Sequence, residues 1–354
     1  MTRSNKLNQS MRVLMITSEW PAPGVNLTAH FIKRQADFLS GAGVNVDVFP
    51  FKGAKNPLNY LKAWWQLQRK LRHEQYDLIH AQFGQSGLLA LPKRLPMVVT
   101  FRGSDLLGTV SDRTGKHLRV SVIHQWLSRI VARKAEEVIV VSEHMKEQLG
   151  PSIPAHVIPS GIDFRFFRRT DKKAARERLG LPLEEKLVLF VGRPNQARKR
   201  CYLAQQAIEI LNESMPAKLI VAWRIPHADI PSYMSACDAL VFTSMQEGSP
   251  NVVKEALACD LPIVSVPVGD VGERLQGIDG CELCADEQPE TIAAALGRVL
   301  QRNQRIAGRE SVQELDENNT TLKVLNIYQS ILARNEEPVT VKPARRGAVV
   351  AGSS

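Results

Sequence analysis

Short apolar runs alternate with amphipathic stretches along nearly the whole of this 354-residue chain, and they fall into two series. The first comprises "RVLMITS" (12–18), "NVDVFPF" (45–51), "YDLIHAQ" (76–82), "PMVVTFR" (96–102), "EEVIVVS" (136–142) and "HVIPS" (156–160). The second comprises "KLVLFVG" (186–192), "AKLIVAW" (217–223), "DALVFTS" (238–244), "LPIVSVPVG" (261–269) and "CELCA" (281–285). Runs that are apolar throughout, rather than at every second position, suit parallel strands covered on both faces by helices. Two series, in a chain too long for one typical core, predict two parallel-sheet α/β domains. Open sheets of this kind bind ligands beyond the carboxyl ends of their strands, so the loops after the apolar runs are where chemistry belongs.

Bulk properties narrow the setting. No apolar run approaches the ~18 to 20 residues that cross a bilayer, and "MTRSNKLNQS" lacks a secretory apolar stretch, so the expectation is a cytosolic protein. Five cysteines (Cys201, Cys237, Cys259, Cys281, Cys284) confined to the second half suit reduced thiols, and the lone C-x-x-C at Cys281 and Cys284 has no partner pair for zinc. A net charge of +10 favours polyanions, whether nucleic acid, anionic lipid or phosphorylated substrates, although part of it sits in a tail read as disordered from Glu336 onward. No nucleic-acid motif accompanies it. "GAGVNV" (41–46) precedes the second run rather than following the first and lacks a third glycine, so it reads as a helix-ending turn and argues against a dehydrogenase.

The stretch "SMQEGSPNVVKEALACDLPIVS" (244–265) carries the sharpest chemical signal. A strand ends at Ser244, "MQEG" leaves it, Ser249 is read as the N-cap and Pro250 as the first helical residue. The N–H groups of Asn251, Val252 and Val253 then point out of a positive helix end, which suits a phosphate or a sugar hydroxyl. Glu247 lies ahead of that start and Glu255 lies one turn past Asn251. As pure hydrogen-bond acceptors they suit hydroxyl donors on either side of a phosphate, or else simply complement the helix dipole. A second site follows the first strand of the second series: "FVGRPNQARKR" places Arg193 and Lys199 where they could hold a diphosphate and stabilise its charge as it leaves, with Arg198 and Arg200 read as a solvated basic loop.

The run "EGSPNVVKE" has the E-x7-E pattern of retaining glycosyltransferases of family 4. The blocks "VGRPNQARK", "IPHADIPSYMSACDALVFTS", "VIPSGID" and "DLIHAQFGQSG…VVTFRGSD" resemble that family's successive segments over residues 11 to 335. The resemblance implies the GT-B architecture, two facing Rossmann-like domains with a cleft between them. It divides the chain into an acceptor-side domain (11–165), a linker (166–185), a nucleotide-sugar-binding domain (186–316), a terminal helix packing back across the domains (317–335) and a basic tail (336–354). It also implies sugar transfer from a nucleotide-diphosphate sugar to a glycan or lipid-linked glycan, with retention at the anomeric carbon, no metal and no cofactor. Glu247 would contact the donor sugar and Glu255 the ribose. Arg193 and Lys199 would grip the diphosphate, supported by Gly248, Ser249, Pro250, Asn251 and Val252. Gly24 would let a first-domain loop approach the donor phosphates. Ser104 and Asp105 would lie on the acceptor side.

Two departures stand out. Where family members often read "T-F-H-G-S-D" and "H-A-H-F", this chain has Arg102 and Gln82, leaving no imidazole base beyond His80, itself at the end of a buried strand. Arg102 either replaces an electrostatic role or marks an inactive cleft, so a silent sugar-nucleotide-binding protein and an epimerase of the same architecture stand as alternatives. The segment between "LIVAW" and "IPHADIPSYM" is too short to name a nucleobase. In the first domain, "NPLNYLKAWWQLQRKLRHEQ" (56–75) fits a helix half-buried on the sheet or an interfacial helix. Lys93, Arg94, Arg102, Arg113, Lys116, Arg119, Arg129, Arg133 and Lys134, if they share a face, could together meet an anionic membrane at its inner face.

Overall fold

The computed structural model describes residues 11–21, 29–53, 56–110, 112 and 114–336. The first six strands, β1 (Arg12–Thr17), β2 (Asn45–Pro50), β3 (Leu78–Gln82), β4 (Met97–Phe101), β5 (Glu137–Val140) and β6 (His156–Val157), form one parallel sheet in the order β2-β1-β3-β4-β5-β6. The next five, β7 (Lys186–Val191), β8 (Ala217–Ala222), β9 (Ala239–Phe242), β10 (Ile263–Ser265) and β11 (Glu282–Leu283), form a second parallel sheet in the order β8-β7-β9-β10-β11. Each apolar run of the sequence holds one of these strands.

Alternation along each strand feeds two cores. In β1, Leu14 and Ile16 join one buried cluster while Val13 and Met15 join the other, and in β7 Leu187 and Leu189 are separated in the same way from Val188 and Phe190. Both faces of each sheet are dry, so the only polar outlets are the strand ends. Strand order reverses beside the first strand of each sheet, opening crevices between β1 and β3 and between β7 and β9 at their carboxyl ends. The helix His30–Gly41 stops at Ala42, and the next residue, Gly43 at φ +91°, makes the left-handed turn into β2, as expected of "GAGVNV".

Most charged residues of 166–185, among them Arg168, Arg169, Lys173 and Arg178, are exposed as a solvated connection would have them. The segment includes the helix Lys172–Leu179, which packs on the helix Ile230–Ala236 of the second half. Arg176 is 2% exposed there, its guanidinium bonded to Asp238 Oδ2 (2.9 Å) and to the Ala236 carbonyl (2.9 Å). Asp238 in turn accepts the Leu187 N–H at 2.7 Å, so the buried pair ties this helix to the start of β7. The helix Glu317–Glu336 returns to the first half, where Val324, Ile327, Tyr328 and Ile331 complete the core under β1. Among the described residues no helix is long and apolar enough to cross a membrane.

Candidate active site

The loops leaving β7 and β9 are tied to each other. The Thr243 hydroxyl donates to the carbonyls of Lys199 (3.0 Å) and Arg200 (3.1 Å), and the Met245 N–H donates to the Arg198 carbonyl (2.9 Å). Arg200, in a left-handed conformation at φ +50°, is buried and bonded to the Thr243 carbonyl (2.8 Å) and to Glu287 (2.7 Å). It is therefore a clamp under the loops rather than a solvated charge. Arg198 is not solvated either: its guanidinium is paired with Glu247 and donates to the Gln246 carbonyl at 2.8 Å.

Glu247 receives two cations on one oxygen, Arg198 and the Lys199 ammonium at 2.8 Å. Burial pushes its carboxyl pKa up, but the Lys199 and Arg198 charges outweigh that and bring it to about 2. Burial pulls the Lys199 ammonium below its ordinary value, and the neighbouring Arg198 opposes Glu247's attempt to restore it. One carboxylate shared by two half-buried cations leaves a surplus of positive charge facing the cleft. Arg193 adds to it: exposed, bonded to Asn195 (2.6 Å) and lying over the Trp223 ring at 5.8 Å, it has no carboxylate partner among the described residues.

The helix Asn251–Ala258 starts one residue later than the sequence reading placed it. Pro250 occupies the N-cap, and the Ser249 hydroxyl donates to Asp270 Oδ2 (2.8 Å) instead of capping. An acceptor from the loop after β10 outcompetes the local cap, and a proline N-cap still leaves the N–H groups of Asn251, Val252 and Val253 without helical partners. The Asn251 Oδ1 is buried with no protein donor, an acceptor that suits a ligand hydroxyl. Glu255, a turn further on, faces Arg34 of the first half at 4.0 Å, and burial raises its pKa against the pull of Arg34 and Lys254.

A cleft of about 740 Å³ brings Arg193, Lys199, Glu247, Ser249, Pro250, Asn251 and Val252 together with Arg198 and Trp223 of the second half and Phe31, Arg102 and Ser160 from the other side. The halves meet closely at Gly248: a Cβ there would lie 2.5 Å from the Met145 sulfur and 2.7 Å from the Arg102 carbonyl. Gln246 bridges the gap, donating to the Leu107 carbonyl at 2.8 Å.

The acceptor-side residues divide. His80 is fully buried, with Nδ1 2.6 Å from the Tyr328 hydroxyl and Nε2 2.7 Å from the Thr100 hydroxyl, and burial lowers its pKa to about 3. It is a satisfied core imidazole, which corrects its reading as an acceptor-side candidate. Asp105 also turns inward: it accepts the N–H groups of Gly103 (2.9 Å), Arg102 (3.2 Å) and Gly84 (3.4 Å), so it shapes the loop after β4 instead of facing a ligand. Ser104 is exposed at the start of the helix Ser104–Leu107, and Gly24 lies outside the described residues.

Arg102 and Gln82, separate departures in the sequence, are partners in space. Gln82 Oε1 accepts from both Arg102 Nε (3.0 Å) and Nη2 (2.7 Å). Gln35 Oε1 accepts from Arg102 Nη2 (3.0 Å) and from Gln82 Nε2 (2.9 Å), and the Ser160 hydroxyl accepts from Nη1 (2.6 Å). The sequence reading missed Gln35, although a signal existed: it is a polar residue among Ile32, Ala36 and Leu39 on the buried stripe of its helix.

A family model described as Glycosyltransferase Family 4 matches residues 9–166, and one described as Glycosyl transferases group 1 matches residues 219–302. The Bacillus subtilis protein TuaC, named as a glycosyltransferase of teichuronic acid biosynthesis, is 30% identical over 246 residues, which are 63% of this chain and 61% of TuaC. A D-inositol 3-phosphate glycosyltransferase of Thermobispora bispora is 24% identical over 315 residues, 75% of this chain and 73% of the relative. Among solved structures, sucrose-phosphate synthase from Thermosynechococcus elongatus superposes with a TM-score of 0.76 at 19% identity, covering 92% of this chain and 100% of that one. Anabaena Alr3699/HepE in complex with UDP-glucose superposes with a TM-score of 0.66 at 17% identity, covering 90% and 100%.

Proposed function

Because the chain belongs to glycosyltransferase family 4, with the two facing sheets of the GT-B fold, we propose that it transfers a sugar from a nucleotide-diphosphate sugar to a glycan or lipid-linked glycan acceptor. The observation that carries this reading is the convergence of the β7 and β9 loops on one cleft with surplus positive charge. Arg193 and Lys199 hold the diphosphate and neutralise it as it departs. The free N–H groups at Asn251 to Val253 take a phosphate or sugar oxygen, and Asn251 Oδ1 and Glu247 accept sugar hydroxyls. Glu255 takes the ribose once Arg34 yields. With no imidazole at the cleft, a departing phosphate oxygen removes the acceptor proton, on the face the diphosphate leaves, which gives retention. No residue role here requires a metal.

A panel of UDP, GDP and ADP sugars in a thermal-shift assay tests donor binding, since a ligand of the folded state raises its apparent stability. Donor hydrolysis without acceptor separates an active enzyme from a silent binding protein, and identification of the sugar product separates transfer from epimerisation. Activity retained in EDTA supports the metal-free reading; its loss, restored by a divalent ion, overturns that part.

The acceptor is met at an anionic membrane surface. What supports this is the outer side of the first half, where the helices Pro57–His73 and Arg119–Lys134 both pack on the core that contains Leu14 and Ile16. Neither helix has an aspartate or glutamate. Trp64 is turned inward, donating to the Leu91 carbonyl at 2.7 Å, while Trp65 is 59% exposed beside Leu58 and Leu61. On the second helix Val122, Ile123 and Trp126 are 66%, 57% and 60% exposed. Aromatic and aliphatic tips among lysines and arginines suit an interfacial surface. Failure to sediment with phosphatidylglycerol vesicles at low salt would remove the membrane part alone.

A further inference from the structure

Arg102 differs from most of the other enclosed cations in what neutralises it; Lys254, 1% exposed and bonded to the Ser160 carbonyl at 3.0 Å, likewise has no carboxylate within ion-pairing distance among the described residues. Arg34 has Glu317 at 2.7 Å, Arg176 has Asp238, Arg200 has Glu287, and Arg198 and Lys199 share Glu247. Arg305 and Arg309 end on main-chain carbonyls where the helices Ile230–Ala236 and Asn251–Ala258 finish, the negative ends of those helix dipoles. Arg102 is held only by two neutral amide oxygens and a hydroxyl, with Phe31 against its face at 4.9 Å, and no carboxylate lies within ion-pairing distance among the described residues. Of its five N–H bonds, four are taken by Gln82 (twice), Gln35 and Ser160; the fifth, on Nη1, has no acceptor among the described residues.

The contacts fix the guanidinium plane while leaving its charge unspent. A charge enclosed without a counter-ion is costly unless something completes it. Here burial lowers the Arg102 pKa to about 10, more than the charges of Glu317, Asp105 and Glu19 offset. The group lines the same cleft from the first-half side, with its main chain against Gly248.

We propose that Arg102 is a specificity-determining residue that holds an anionic oxygen, carboxylate or phosphate, on the sugar being transferred or on its acceptor. The inference rests on the donor reading above and narrows the substrate class to one carrying a negative group besides the nucleotide diphosphate. Gln82 and Gln35 are positioning residues for it. Their amides orient the fork without neutralising it, which a carboxylate at either position would do.

The test compares wild type with Arg102→Gln and Arg102→Lys by calorimetric titration of UDP, UDP-glucose and UDP-glucuronate, replaced by the GDP, GDP-mannose and GDP-mannuronate set if the panel selects guanine. A preference for the uronate of about 10- to 100-fold that Arg102→Gln erases and Arg102→Lys partly keeps places the anion on the donor. Equal binding of the two sugars, with inorganic phosphate binding the UDP complex of wild type and not that of Arg102→Gln, places it on the acceptor. Gln82→Glu, which supplies an internal counter-ion, reproduces the loss in either case with arginine still present. Identical behaviour of wild type and Arg102→Gln in both arms overturns the proposal. So does a uniform loss for UDP and both sugars, which would put Arg102 on the diphosphate. Absence of nucleoside diphosphate binding by wild type is a different failure, that of the donor reading itself.

Discussion

The two walls of the cleft are built on different electrostatic plans. On the second-half wall, Lys199 and Arg198 find their counter-charge in Glu247, three residues of two laced loops that together prepare a donor site. On the first-half wall, Arg102 is gripped as firmly but by amides and a hydroxyl, so its charge remains available. Preorganisation and neutralisation are thus separable. The second-half wall combines them, and the first-half wall has the former alone.

The comparison breaks first at Glu247. Glu247→Ala leaves two half-buried cations without a carboxylate partner, so a loss of about 1–3 kcal/mol of stability is expected in denaturant titration, together with loss of transfer. Lys199→Ala is the sharper probe of chemistry, because Arg198 still neutralises Glu247 and the fold is kept. A 10²- to 10³-fold fall in kcat at near-normal melting temperature is expected, as for removal of one stabilising donor. A melting temperature that falls as far as for Glu247→Ala would mean that the lysine is structural.

A third expectation concerns acid. His80 and His227 have pKa values lowered to about 3 and about 4, each first by burial, with Arg102 and His30 respectively adding to it. Their unfolded forms take protons near the ordinary value of about 6.5 while the folded forms do not. Stability is therefore full above that pH and falls as pH drops from 6.5 toward 3, by about 3 kcal/mol or more. His80→Asn should flatten part of that slope in unfolding measured across the range. The smallest effect sharpens the contact between the walls: Gly248→Ala, with its methyl meeting Met145 and the Arg102 carbonyl, should cost about 1–3 kcal/mol and slow transfer more than it weakens UDP binding.

What could be read from the sequence follows the same division. The sheets were legible because both faces of each strand are apolar, and Glu247, Lys199 and Asn251 were legible because each lies on the loop or helix start that directly follows a strand. The Ser249 cap was misread because its competitor, Asp270, comes from the loop after β10. Arg198 and Arg200 looked solvated because a run of basic residues does not reveal the acids, Glu247 and Glu287, that fold onto it. Gln82 and Arg102 looked like two defects for the same reason: their pairing depends on β3 lying beside β4, and Gln35 and Ser160 come from still further away.

Ser160 has a mechanical consequence. Its hydroxyl accepts from Arg102 of the first half, and its carbonyl accepts from the Lys254 ammonium of the second half at 3.0 Å, on the helix that begins at Asn251. A single serine in the crossover is thus pinned from both sides, so the lobes cannot swing apart without stripping a cation from its oxygen. Widening the cleft therefore breaks the Lys254 contact, while the bond from Arg102 keeps Ser160 with the first half.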